Sequence, residues 1–271
     1  MEPALQKILL RKVLDISLEV GGFIVEHLGK FKNLFYKGRI NLVTDIDKGS
    51  QELIIKKLKK VLPEADFFAE EKNNIVKKTN KFRWIIDPLD GTTNFVHGFP
   101  FFCVSIALQE NSEIILASVY DPIRKERFSA LKGMSSFLNN QHIHVSKTKL
   151  LKQSLIATGF SYKFKELKDN NIGNFIKLLV ASQAIRRAGS AALDLCYVAC
   201  GRFDGFWELD LRPWDTAAGI LIVKEAGGRV TNFKNIEYSF EDKEILATNK
   251  LIHPQMLKQL NANKKEFLRF V

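Results

Sequence analysis

Apolar residues recur along this chain with two periods, and the switching between them lays out the expected elements. Leu5, Leu9, Val13, Ile16, Val20 and Phe23 return every three or four positions, with Arg11, Lys12, Asp15 and Glu19 between them. That spacing predicts an amphipathic helix over 4–29. Ile46, Leu53, Ile54, Leu58 and Val61 predict a second over 46–62. Further helices are expected at 166–180, 190–200, 215–226 and 254–265. Short runs rich in aromatic and β-branched residues predict strands near 66–69, 82–87, 101–109, 113–120, 125–130, 154–159, 184–187, 203–208 and 245–248. Only Glu110-Asn111-Ser112 separates two of these runs, so 101–109 and 113–120 read as an antiparallel hairpin.

Composition narrows the class. The chain has 271 residues, 46% of them hydrophobic, enough for a large core in one two-lobed unit or two small domains. No linker, repeat or low-complexity tract divides it. Charges interrupt the first helix too often for a signal peptide or membrane span, so no membrane association and a cytoplasmic location are expected. Three cysteines make no disulfide framework, and Cys196 and Cys200 lie four apart on an apolar helix, as core residues do. His97, His142 and His144 show no metal-ligand spacing. A net charge of +11 admits nucleic acid or an acidic protein as partner. Lys56, Lys57, Lys59, Lys60, Lys77 and Lys78 lack interleaved aromatics, which favours plain solvated charge.

The candidate chemistry is acidic. Asp87-Pro88-Leu89-Asp90-Gly91-Thr92-Thr93-Asn94 follows the apolar run Phe82–Ile86, so Asp87 ends a buried strand. Two carboxylates this close repel each other unless a cation lies between them, and hard oxygen ligands favour Mg²⁺, Mn²⁺ or Ca²⁺. The competing reading is an ordinary turn, with Asp90 capping a helix from Thr92. Glu70-Glu71 repeats the layout after the strand 66–69, and a solvated loop is its alternative. Asp215 in Trp214-Asp215-Thr216 opens an apolar helix that ends at Gly227-Gly228, where capping alone would justify an acid. Thr44 with Asp47 fits a capping box, a position from which a carboxylate can also orient a hydroxyl or water.

Together these segments resemble the inositol monophosphatase family. The likeness rests on Asp87–Phe95, Glu70-Glu71, and Trp214-Asp215 ahead of Glu225-Ala226-Gly227-Gly228. It runs from Leu42-Val43-Thr44 to Leu246-Ala247-Thr248. Gly189–Leu195 and Glu208–Asp215 are most similar to its bacterial SuhB-type branch. The resemblance implies an α+β fold, a layered α-β-α-β-α sandwich of the sugar-phosphatase type. Its two lobes would span 1–145, with most metal ligands, and 146–271, with Asp215 and the substrate contacts, and the assembly would be a homodimer. It implies a lithium-sensitive, Mg²⁺-dependent inositol-1-phosphatase. Fructose 1,6-bisphosphate, histidinol phosphate and 3′-phosphoadenosine nucleotides are the alternative substrates. An accessory role with RNA polymerase and ribosomal RNA transcription factors is the alternative of another class.

The resemblance also implies roles. Glu70, Asp87 and the Leu89 carbonyl would hold one Mg²⁺; Asp87, Asp90 and Asp215 a second; Glu70 with water a weaker third. The Gly91 and Thr92 amides would cradle phosphate. Asp47, Thr92 and Glu70 would orient the attacking water. Gly189, Ser190, Ala191 and Glu208 would face the rest of a small phosphorylated polyol or sugar. The chain departs from the family pattern at Ala69 (usually glycine), at Lys72 (often serine) and in the basic segment Tyr36–Asn41 near the third ion. Metal-activated water needs no covalent nucleophile, and no Gly-x-Ser-x-Gly elbow is present.

Overall fold

The computed structural model describes residues 1–30, 34–36, 42–71, 81–162 and 170–262. In chain order its elements are α1 (Pro3–Glu26), β1 (Leu34–Tyr36), β2 (Leu42–Thr44), α2 (Asp45–Val61), β3 (Asp66–Ala69), β4 (Phe82–Asp90), α3 (Thr92–Val96), β5 (Cys103–Glu110), β6 (Glu113–Asp121), β7 (Glu126–Leu131), β8 (Ser136–Leu138) and β9 (Gln141–Ile143). The second half supplies β10 (Leu155–Thr158), α4 (Ile172–Ala181), β11 (Ala184–Arg186), α5 (Ala191–Ala199), β12 (Gly205–Leu209), α6 (Pro213–Glu225), β13 (Arg229–Thr231), β14 (Glu244–Thr248) and α7 (His253–Leu260). The helices expected to start at 166 and to run to 265 are seen only as α4 and α7. Residues 163–169, those after 262, the basic segment 37–41, Lys72, Lys77 and Lys78 lie outside the described residues.

Seven strands form one sheet in the order β3-β4-β5-β6-β7-β8-β9, and five form another in the order β11-β10-β12-β14-β13. The first sheet has two buried faces. Trp84, Ile86, Phe102, Val104 and Ile106 pack towards α1 and α2, while Ile85, Cys103, Ala107 and Val119 pack towards α5 and α6. Those two helices also receive Ala157, Phe206, Ile245 and Ala247 from the second sheet. The far side of that sheet packs Ile156, Trp207 and Leu246 against α4 and α7. The layers therefore run α-β-α-β-α, as the resemblance implies. A helix buried between two sheets needs apolar residues nearly all round, and every residue of α5 is buried, the one charged side chain, Asp194, among them.

Two local details position the chemistry. Asn111 takes the left-handed conformation (φ 56°) in the tight turn that joins β5 to β6. In β4, Asp87 pairs with Ser105 and Asp90 with Cys103. Pro88 and Leu89 thus face the single residue Val104, a β-bulge. Side chains alternate along a strand, so a spacing of three would put Asp87 and Asp90 on opposite faces. The extra residue resets the alternation and turns both acids towards α5 and α6, while Leu89 faces the α1–α2 side.

Candidate active site

Asp87 is buried, and its Oδ1 accepts the Leu89 N–H at 3.0 Å, which holds the carboxyl plane fixed at the bulge. Asp90 does not cap the helix that follows it. Gly91 is the N-cap of α3, with φ 95° and a site for Cβ only 2.9 Å from the Phe101 carbonyl, so only glycine fits comfortably. Asp90 Oδ2 instead accepts the Ser190 hydroxyl at 2.6 Å and the Ala192 N–H at 2.8 Å, at the start of α5. Asp215 stands in the third position of α6, where its Oδ2 accepts the Arg212 N–H at 2.6 Å, a capping bond. Trp214 beside it stacks edge-on against Phe68, with ring centroids 5.2 Å apart, and so ties the strand leading to Glu70 to the helix carrying Asp215. The Glu71 N–H donates to Gln51 Oε1 at 2.8 Å, so Glu70-Glu71 is anchored to α2 and is no free loop.

Asp47 serves both roles suggested for it. Its Oδ2 accepts the Thr44 N–H at 2.7 Å and the Thr44 hydroxyl at 2.6 Å, the acid half of the capping box. Its Oδ1 accepts the Thr92 hydroxyl at 2.8 Å, and Thr92 Oγ1 also lies 3.1 Å from the Leu89 carbonyl. Asn94 links two of the motifs, donating to the carbonyls of Phe101 (2.7 Å) and Ala188 (2.8 Å). Gly189 follows at φ 89°, and a side chain there would meet Asn94.

A cavity of about 300 Å³ opens over this cluster. Among the residues lining it are Glu70, Asp90, Gly189, Ser190, Ala191, Glu208 and Asp215. Asp47, Asp87, Leu89, Gly91 and Thr92 are not in its wall; they belong to the buried network beneath. Arg187, Asp194, Gly159, Tyr162 and Asp210 line it too and were not foreseen. Arg187 precedes the Gly189-Ser190 motif directly. Asp194 is the single charged residue of a wholly buried helix, which was the visible signal.

The electrostatics follow from burial. Asp87 and Asp215 hold their protons well above the usual carboxylate range, first because they are desolvated and then because other acids surround them. Glu70, Asp90 and Asp215 all act on Asp87. Asp90 is pushed up to about 6, burial again first, with the Ser190 and Ala192 bonds pulling the other way. Burial raises Glu208 to about 8, against the opposing pull of Arg187. Asp47 is raised by burial and held back by its Thr44 and Thr92 partners.

An all-oxygen donor set with mutually repelling buried acids fits a divalent cation, which relieves the repulsion that raises these acids. Among the described residues, no three acidic, imidazole or thiol side chains are gathered closely enough to enclose an ion unaided. Water and phosphate oxygens would complete the shell, as is usual for Mg²⁺.

A five-layer sandwich with such an acidic pocket fits the phosphatase class that the resemblance implies, and known proteins bear this out. The family model described as the inositol monophosphatase family matches residues 10–265, and the chain belongs to that family. An inositol-1-monophosphatase of Synechocystis sp. is 41% identical over 257 residues, 94% of this chain and 90% of its own. The Nus factor SuhB of Salmonella typhimurium is 41% identical over 232 residues, 86% of this chain and 85% of its own. The structure of an IMPase/NADP phosphatase complexed with Mg²⁺ and phosphate superposes with a TM-score of 0.84 at 26% identity, covering 96% of this chain and 97% of that one.

Proposed function

We propose that this protein is a Mg²⁺-dependent phosphomonoesterase that hydrolyses inositol monophosphate by attack of an activated water. The observation that carries the reading is the meeting of Glu70, Asp90 and Asp215, from three distant stretches of chain, at one cavity with Asp87 buried against them. In this reading Glu70, Asp87 and the Leu89 carbonyl would hold one Mg²⁺, Asp87, Asp90 and Asp215 a second, and Glu70 with water a weaker third. When bound, the ions neutralise phosphate oxygens, acidify water and stabilise the departing alkoxide.

The chain's own residues do the rest. Thr92 Oγ1 commits its proton to Asp47 and so offers lone pairs to an O–H of the incoming water. Asp47, pinned by two bonds from Thr44, keeps that hydroxyl oriented, and Glu70 helps to place the water. The Gly91 and Thr92 amides receive the phosphate. Gly189, Ser190, Ala191 and Glu208 face the alcohol. Asp87→Asn removes the shared ligand, and phosphate release from inositol 1-phosphate in Mg²⁺ is expected to vanish. Turnover like that of the wild type in this variant rules the mechanism out. A panel adding fructose 1,6-bisphosphate, histidinol phosphate and a 3′-phosphoadenosine nucleotide, with and without Li⁺, decides the preferred ester and lithium sensitivity.

The same reading includes a cytoplasmic homodimer with lobes dividing near residue 145. Strands 66–143 build one sheet and strands 155–248 the other, which supports the division. Among the described residues no helix is long and apolar enough to cross a membrane. Ile172, Ile176, Leu179 and Val180 form an exposed apolar stripe on α4, suited to a second copy. A second reading, an accessory role with RNA polymerase and ribosomal RNA transcription factors, has the Nus-factor relative and the charge of +11 in its favour. It requires salt-dependent binding of RNA or transcription proteins by the Asp87→Asn protein, and no binding at low salt removes it.

A further inference from the structure

Two acids in the cavity have no task in the reaction above, and of these Asp210 already accepts the Ser161 hydroxyl at 2.8 Å. Asp194 is 1% exposed and lines the pocket, and its Oδ1 has no hydrogen-bond partner among the described residues. The rest of α5 is uncharged, so nothing on the helix compensates it. A buried acid without a partner destabilises a fold, and such groups normally find one. Its surroundings say what is missing. Asp194 follows Ser190 and Ala191 by about one turn of α5 and therefore lies on the same helix face, further along the pocket wall. Ser190 is bonded to Asp90, which places the phosphate end of the pocket at the start of the helix. Glu208, from β12, lines the same cavity, its carboxylate set directly over the α-carbon of Gly159 where a side chain would collide with it.

We propose that Asp194 is a second hydroxyl-recognising acid of this pocket. With Glu208 it takes neighbouring hydroxyls at the end of the substrate remote from phosphate, and it thereby selects polyol esters over esters of simple alcohols. The inference rests on the phosphatase reading and extends it to one side chain.

The chemistry favours a hydroxyl over other ligands. Burial and the neighbouring Glu208 and Asp90 charges keep Asp194 well above the ordinary carboxylate range, against the pull of Arg187. A hydroxyl both donates and accepts, so it satisfies the acid in either protonation state, whereas an ammonium group needs it ionised. Between turnovers, water fills the same position, and a polyol replaces it without loss of hydrogen bonds. A simple alkyl or aryl ester that displaces this water offers no hydroxyl in its place and leaves the acid unpaired.

The test compares inositol 1-phosphate with phenyl phosphate, which carries no hydroxyl, using the full-length protein in Mg²⁺. Asp194→Leu and Asp194→Ala both remove the acceptor, one keeping the branched shape and the other not; Asp194→Asn keeps an acceptor. The ratio of kcat/KM for the polyol ester over the aryl ester is expected to fall about tenfold or more in the Leu and Ala variants. The loss should fall mainly on the KM for the polyol, and Asp194→Asn should recover most of it. An unchanged ratio in a folded variant overturns the proposal, as do equal losses on both esters. Failure of both the Leu and Ala variants to fold overturns it as well, since Asp194 is then a structural acid. A wild-type protein that releases phosphate from neither ester sinks the phosphatase reading instead.

Discussion

Ser190 gives its hydroxyl proton to Asp90 across 2.6 Å, joining residues 100 positions apart in the chain. The same serine caps α5, its oxygen lying 3.4 Å from the Leu193 N–H. One hydroxyl thus fixes a candidate metal ligand and closes a buried helix end. Ser190→Ala removes both bonds and is expected to lower unfolding free energy by about 1–2 kcal/mol in a urea titration. Mg²⁺ affinity should weaken as Asp90 gains freedom. An unchanged urea midpoint would show that the bond contributes nothing.

Cation binding should release protons. Asp87, Asp90 and Asp215 all have raised proton affinities, Asp90 to about 6. At pH 6–7 part of this cluster carries protons, which a cation displaces, so Mg²⁺ affinity is expected to rise with pH. Calorimetry at pH 7 in two buffers of different ionisation enthalpy measures the release. Identical heats in both buffers contradict it.

His253 predicts a stability loss in mild acid, far from the site. It is fully buried between the hydroxyls of Thr231 (3.0 Å) and Thr248 (2.9 Å), and burial lowers it to about 4. The unfolded chain takes up its proton near pH 6.5, the folded protein only near 4. Between those values the unfolded state binds more protons, so stability falls as pH drops from 7 to 5, by about 2 kcal/mol from this residue. Thermal melts of the wild type and of His253→Gln across that window separate its share from that of the acids. Parallel pH dependence in the two proteins counts against the assignment.

Gly159 should be intolerant for a reason unrelated to its backbone. A Cβ there runs into the Glu208 carboxylate. Gly159→Ala is therefore expected to displace Glu208 and cut kcat/KM for inositol 1-phosphate by about tenfold or more. The melting temperature should change little if the carboxylate swings into the cavity. Unaltered kinetics would mean that Glu208 does not touch substrate.

The exposed stripe on α4 makes the assembly testable. Val180 is 61% exposed and Leu179 49%. Val180→Glu is expected to turn a dimer into a monomer in light scattering after size exclusion, with the fold retained by circular dichroism. A Val180→Glu protein that remains dimeric moves the interface elsewhere.

Much of this was legible in the chain, for identifiable reasons. Long periodic segments such as α1 and α2, and the capping box of Thr44 and Asp47, are local, and local chemistry can be read residue by residue. The strands β1, β2, β8, β9 and β13 have three residues each, too few to show a period. Asp90 left two readings open because its partner lies on a helix 100 residues away. Arg187 became a candidate only when folding brought it to the same wall as Glu208, whereas Asp194 stood out as the single charge of an apolar helix without showing which wall it joins. The bulge in β4 was equally hidden, since a doubled residue opposite Val104 exists only once β5 is paired.

That bulge divides the work between two compartments. Asp47 approaches from the α2 side of the sheet, whereas Asp87 and Asp90 turn towards the α5–α6 side, where Ser190, Asp194 and Glu208 wait. In the proposed reaction the acid that orients the Thr92 hydroxyl is then held behind the sheet, and the acids that would hold the cations face the cavity. Without the extra residue Asp90 would face the α1–α2 side, out of reach of Ser190, and the cavity would lose one of its acids.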